Sequence, residues 1–191
     1  MRRYEKTAPA FCLAALVFLV SVLGCRGSVE SEARERVVAA ASKLVGTQEK
    51  TGRNDGPVID AILATVGLQG TRSPYCAAFN AYCYKEAGIK TGWPRSAWSP
   101  DWVRNPTWTP AKGGKTPLPG DAWGIYFAAQ KRVAHTGLVE KWGSQVVVTL
   151  EGNTSPQQAT GEADRNGDGI WRKRRLVRQI YSVRDWVSTK N

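Results

Sequence analysis

The chain has 191 residues, of which 27 are Lys or Arg, 16 are Asp or Glu and one is His, a size that suits one domain once an export segment is set aside. With 42% hydrophobic residues, 19 Gly, 8 Trp and 23% charged residues, the composition excludes wholesale disorder and a coiled coil. The single histidine excludes a His-rich zinc site and any two-histidine scheme within one chain, so imidazole chemistry must run through His135.

Arg2, Arg3 and Lys6 precede the apolar run PAFCLAALVFLVSVLGC, long enough for a signal-peptide core and short for a lone membrane span. The run predicts export with residues 1–24 as the signal. It ends Val22-Leu23-Gly24-Cys25, which resembles a bacterial lipobox except that bulky Leu23 stands where a small residue is usual. Cys25 is therefore the expected lipidation site, anchoring the chain to a membrane in the cell envelope; an uncleaved anchor and ordinary secretion are the alternatives. Loss of residues 1–24 removes three basic residues and one acidic, taking the net charge from +11 to +9. A positive body outside the cytoplasm suits an anionic envelope polymer.

Residues 25–30 read as a linker and 31–191 as the domain. Val37, Val38, Ala41, Leu44 and Val45 have amphipathic helical spacing and predict a helix over Ser31–Val45, closed by Gly46. After the turn-rich stretch Thr51–Gly56, Pro57 opens a second helix carrying Val58, Ile59, Ile62, Leu63 and Val66. A third is predicted from Tyr75 to Ala87, stopping at Gly88.

Residues 91–120 hold Trp93, Trp98, Trp102 and Trp108 among Pro and Gly, too long a connection to be idle. The tryptophans either wall a binding groove or pack over the core as a lid. Strand-like patterns follow over Ala122–Phe127, His135–Trp142, Gln145–Glu151 and Ile170–Val183. Helices first and antiparallel strands afterwards predict an α+β domain, with N-terminal helices packed on the sheet.

No CxxC spacing occurs among Cys12, Cys25, Cys76 and Cys83, which disfavours a zinc ribbon. Seven residues of helix separate Cys76 from Cys83, roughly 10 Å and too far for a disulfide. Cys76 lies in the first turn of its helix, where free N–H groups and the helix dipole favour a thiolate. Cys83 lies on the apolar side and reads as a buried structural cysteine.

A three-residue hairpin loop, Trp142 to Ser144, closed by Lys141 opposite Gln145, would set His135 opposite Glu151 with Asn153 diagonal on the same face. Glu151 and Asn153 are then the two candidate partners for one imidazole nitrogen, leaving the other free to face a thiol.

The segments Tyr75-Cys76-Ala77-Ala78-Phe79, Pro117-Leu118-Pro119-Gly120-Asp121, His135-Thr136-Gly137-Leu138-Val139-Glu140 and Glu151-Gly152-Asn153-Thr154 together resemble the cysteine- and histidine-dependent amidohydrolase/peptidase (CHAP) family. That family is a branch of the papain-like and NlpC-type cell-wall hydrolases. The resemblance spans about Val45 to Val183, with Thr136 standing where many relatives have an apolar residue. It implies a papain-like α+β fold, Cys76 as nucleophile, His135 as base, Glu151 as the residue orienting the imidazole and Asn153 as an auxiliary polar group. It further implies hydrolysis of a peptidoglycan stem-peptide amide, at the muramoyl–L-alanine bond or within the peptide, with no cofactor.

The Cys76 backbone N–H is one expected oxyanion donor, and Tyr75 and Gln69 are candidates for the second. Tyr75, Trp98 and Asn54 are the candidate substrate-binding residues, although Asn54-Asp55-Gly56 also suits a plain turn. Asp164–Ile170 matches the first half of an EF-hand loop, but Arg175 stands where the bidentate Glu is needed, so a Gly/Asp turn into a strand is expected and calcium on other ligands is the alternative. The basic run Arg172–Arg178 sits among strand-like apolar residues and reads as a solvated sheet face, which makes nucleic acid a distant partner. The alternative from another class is a non-catalytic peptidoglycan-binding module with the same fold.

Overall fold

The computed structural model describes residues 29–90, 92–156 and 166–188. The signal segment, Cys12, the lipidation candidate Cys25 and Asp164 lie outside the described residues. The chain divides into two units between Glu32 and Ala33; of the first, residues 29–32 are described and helical. The second unit contains the sheet and the helices packed on it.

Helical residues 33–42 form α1, which ends before the expected Val45. The Gly46 N–H donates to the Ile170 carbonyl and the Thr47 carbonyl accepts from the Ile170 N–H, both at 2.9 Å, so the backbone leaves the helix to stitch onto a strand. Helix α2 is Pro57–Ala64, with Pro57 at its first turn, where its missing N–H costs nothing. Helix α3 is Cys76–Glu86. Gly88, at φ +73°, closes it in the left-handed conformation that residues with a side chain rarely adopt.

Seven strands form one sheet in the order β2-β1-β7-β3-β4-β5-β6: β1 Trp108–Thr109, β2 Gly113–Gly114, β3 Ala122–Phe127, β4 Arg132–Trp142, β5 Val146–Thr154, β6 Gly169–Leu176 and β7 Ser182–Arg184. All paired neighbours are antiparallel, and the protein is α+β. The predicted strand Ile170–Val183 is two: β6 ends in a 3₁₀ turn, Val177–Gln179, and β7 pairs at the other side of the sheet with β3 and β1.

One sheet face meets the helices, where Ala122, Leu138, Leu150 and Ile170 join Val37, Ile59, Leu63 and most of α3 in a buried core. Trp123, Val139, Val147, Ile180 and Val183 form a second cluster. Helix α3 is buried along nearly its whole length, including Cys83, whose thiol burial pushes well above its ordinary value. Cys76 and Cys83 are both free thiols.

The 91–120 connection contains a 3₁₀ helix, Ser99–Val103, and the β1–β2 hairpin. Three of its tryptophans pack inward: Trp102 is fully buried, stacks on Trp93 at 6.3 Å, and Trp108 meets Trp142 at 4.9 Å. Trp98 alone of the four is half exposed.

The Pro117–Asp121 segment serves the fold. Asp121 accepts from Arg34 at 2.6 Å and from the Leu118 N–H at 2.9 Å, and the Tyr84 hydroxyl donates to the Gly120 carbonyl at 2.7 Å. Arg34 also reaches Asp185 at 2.8 Å, tying α1 to the turn before β3 and to the segment after β7.

Candidate active site

Two strands that part company create the site. The β4–β5 ladder ends at Leu138↔Leu150; beyond it, β4 pairs with β3 and β5 with β6. Helix α3 touches both branches of this fork. Its Asn80 Nδ2 donates to the Thr136 hydroxyl on β4 at 3.2 Å, and its Phe79 lies against Gly152 on β5, where an added Cβ would stand 2.7 Å from the Phe79 Cβ. Gly152 is therefore the residue that lets α3 seat against β5. Gly152→Ala is expected to lift α3 and cost about 1–3 kcal/mol, read as a fall in Tm; an unchanged Tm contradicts this packing.

Cys76 is the first residue of α3. The first turn has N–H groups with no intrahelical acceptor, and the helix dipole adds positive potential there. Cys76 is 4% exposed, and its Sγ lies 3.4 Å from the Ser99 hydroxyl. Burial pushes the thiol up, but hydrogen bonding to His135 and the imidazole charge, with help from Ser99 and the Thr136 backbone, outweigh it and hold Cys76 below the ordinary thiol value.

His135 on β4 is fully buried. Its Nε2 meets the Glu151 carboxylate at 2.9 Å, while its buried Nδ1 has no hydrogen-bond partner; the ring and the Cys76 thiol interact with each other. Burial lowers the imidazole, yet its interactions with Cys76 and Glu151 prevail and raise it from 6.5 to about 9. A folded value above the unfolded one makes the imidazolium contribute stability in full below pH 6.5 and lose it as pH rises through about 9.

The expected juxtaposition of His135 and Glu151 is present, but by a different register. Trp142 pairs with Val147, so the loop has four residues, 143–146, rather than three. That alone would reverse the faces. A bulge between Val139 and Lys141 inserts Glu140 and restores them; continued by one step, the Leu138↔Leu150 register sets Gly137 opposite Glu151, with His135 diagonal to it. The extra Glu140 receives Arg172 at 2.6 and 2.8 Å.

Arg175 completes the row and corrects the expectation for the basic run. Along β6, Arg172 and Arg174 are exposed while Lys173 and Arg175 are buried, so two of the run's five basic residues face inward. Arg175 donates from Nε to Glu151 Oε1 at 2.6 Å and from Nη2 to Oε2 at 2.5 Å, a two-pronged pair that fits guanidinium to carboxylate. Thr149 adds a second donor to Oε1, at 2.5 Å. Burial opposes ionisation of Glu151, but Arg175 first and His135 second hold it well below the usual carboxylate range. Strand alternation in Arg172-Lys173-Arg174-Arg175 was the signal for this residue, since every second side chain of a strand shares a face.

Asn153 is buried two positions beyond Glu151 and its amide donates to Asn166 at 3.3 Å. Tyr75 is fully buried, with its hydroxyl beside the Glu49 carboxylate, and burial followed by that charge pushes its hydroxyl up. It is sealed in the hydrophobic core and presents no open contact to a substrate, which corrects its expected role. Gln69 is exposed in the turn between α2 and α3.

Asn54, at φ +54°, donates from its side chain to the Arg72 carbonyl at 3.0 Å. With Glu49, Arg72 and Asp168 it lines a polar cavity of about 510 Å³. Trp98 adjoins Ser99 and carries the Arg132 guanidinium over its ring at 4.1 Å. A cavity of about 860 Å³ between Val103, Trp108, Val133 and Tyr181 has no cysteine, histidine or carboxylate in its lining.

Of the EF-hand-like stretch, residues 166–170 are described; 166–168 lead into β6, and the Asp168 carbonyl accepts from the Glu49 N–H at 2.8 Å. Among the described residues no group of three or more His, Cys, Asp or Glu is placed to hold a metal ion, and no helix is long and apolar enough to cross a membrane. Compared with protein-family models, curated proteins and solved structures, the chain has no match in any of the three.

Proposed function

We propose that the protein is a CHAP-type cysteine amidohydrolase with a papain-like fold, exported to the cell envelope and cleaving an amide of the peptidoglycan stem peptide. The observation that carries this is the buried row Cys76, His135, Glu151. A thiol at a helix N-terminus interacts with the imidazole, whose Nε2 a carboxylate holds at 2.9 Å while Nδ1 has no other partner.

The chemistry follows from these groups. With Glu151 ionised and bonded to Nε2, Nδ1 is the nitrogen that exchanges a proton with Cys76. The Cys76 thiolate attacks the amide carbonyl, and the resulting oxyanion develops next to the free N–H groups of the first turn of α3. His135, as imidazolium, gives its proton to the leaving amine as the C–N bond breaks, leaving a thioester on Cys76. Neutral His135 then takes a proton from water, whose oxygen attacks the thioester and releases the acid and the thiol.

Peptidoglycan as the substrate rests on the family resemblance, the expected export signal and the positive body charge. A non-catalytic wall-binding module is the second reading. A fully buried imidazole, carboxylate and guanidinium in one row favours the enzyme, since desolvating three such groups costs stability that a binding surface has no use for. Purified protein incubated with peptidoglycan sacculi should release new amino groups, and Cys76→Ala should release none. If the wild type releases none while both proteins bind sacculi equally, the binding module is correct.

A further inference from the structure

Glu151 is shared. Its Oε2 receives both Arg175 Nη2, at 2.5 Å, and His135 Nε2, at 2.9 Å, so two cationic groups face each other across one oxygen atom. Trp123 covers both: its ring is 5.2 Å from the Arg175 guanidinium and edge-on to His135 at 5.6 Å. Arg175 and Glu151 are buried at 3% and 0% exposure, where water screens little.

We infer that Arg175 is a positioning residue for His135: it fixes Glu151 as a carboxylate aimed at Nε2, and its own charge limits how tightly the imidazole holds its proton. The protonation role stands on geometry alone; its consequence for turnover rests on the function proposed above. The charged and titratable groups facing this row are Cys76 from α3, His135 from β4, Glu151 from β5, and Arg175 with Lys173 from β6. Lys173 is engaged with the Thr154 hydroxyl at 3.2 Å, and β3 contributes the uncharged Trp123. Without Arg175 the His135–Glu151 pair has one fewer positive neighbour, so removing its shared proton leaves an uncompensated buried anion. The pair must then hold that proton to higher pH.

His135 is the one histidine of the chain, so an imidazole nitrogen-15 NMR titration of the full-length protein reads this ring without assignment and without substrate. Arg175→Met is expected to raise the titration midpoint by about one pH unit or more, the scale of one unscreened neighbouring charge. Arg175→Lys keeps the charge and loses the fork, so its midpoint should stay within about 0.3 units of the wild type while kcat falls. A midpoint for Arg175→Met within about 0.3 units of the wild type, or a shift in Arg175→Lys as large as in Arg175→Met, overturns the inference. If Arg175→Met fails to fold, Arg175→Lys decides by itself: a midpoint displaced by about one unit rejects the assignment. A wild type that titrates as expected but hydrolyses nothing leaves the inference standing and rejects the proposed activity instead.

Discussion

His135→Ala is expected to abolish amide hydrolysis as completely as Cys76→Ala, each by on the order of 10⁴-fold or more, and the double variant should be no worse than either single one. In the proposed mechanism nucleophile and base act as one unit: without the imidazole the thiol has no acceptor for its proton and the leaving amine has no donor. In most chains a neighbouring histidine complicates such a test, but here the sequence holds no other. Both variants should remain folded, because each trims a side chain at the fork without leaving a buried charge unpaired: Glu151 keeps Arg175 and Thr149 as donors. Release of amine by His135→Ala at near wild-type rate would remove the histidine from the mechanism.

The second large effect separates stability from chemistry. Glu151→Leu strands the buried Arg175 guanidinium, 3% exposed, and is expected to cost about 3–5 kcal/mol in unfolding free energy. The double change Glu151→Leu with Arg175→Leu removes both charges and should recover most of that loss, since an apolar pair of similar volume often matches a buried ion pair. Activity should not recover in either variant, because His135 loses the acceptor that orients Nε2; a fall on the order of a thousandfold or more is expected in both. Denaturant unfolding and amine release measured on the same preparations read the two outcomes. A double variant as unstable as the single one contradicts the ion-pair account, and full activity in the double variant contradicts the orienting role of Glu151.

Much of the site was legible because it rests on local signals. Pro57 and Gly88 mark helix ends by backbone chemistry, and Cys76 announces itself by standing at a helix start after Pro74. The His135–Glu151 contact was legible only in its parity. Hairpin loop length and the position of a bulge are not encoded in alternation, and here the four-residue loop and the inserted Glu140 cancel, so the faces agree while the register differs by two residues.

Arg175 was missed for a different reason. A run of basic residues looks solvated when read as a block, because charge is costly to bury, and its inward-facing members become visible only once a buried carboxylate on the neighbouring strand is known. The split of the last predicted strand at Val177–Gln179 is equally non-local: Ile180 and Val183 are apolar whether they continue β6 or cross the sheet to pair beside β3. The tryptophans of the long connection divide by packing that composition does not reveal, with Trp102 sealed against Tyr84 and Trp93 and Trp98 left outside next to the residue that touches the thiol.

Digestion of purified sacculi in oxygen-18 water, with products resolved by mass spectrometry, tests the central claim most directly. The wild-type protein should yield fragments in which one amide has become a free amine and a carboxyl group carrying one heavy oxygen, and Cys76→Ala should yield none. Intact sacculi after incubation with the wild type, or the same labelled fragments from Cys76→Ala, would contradict a cysteine amidohydrolase.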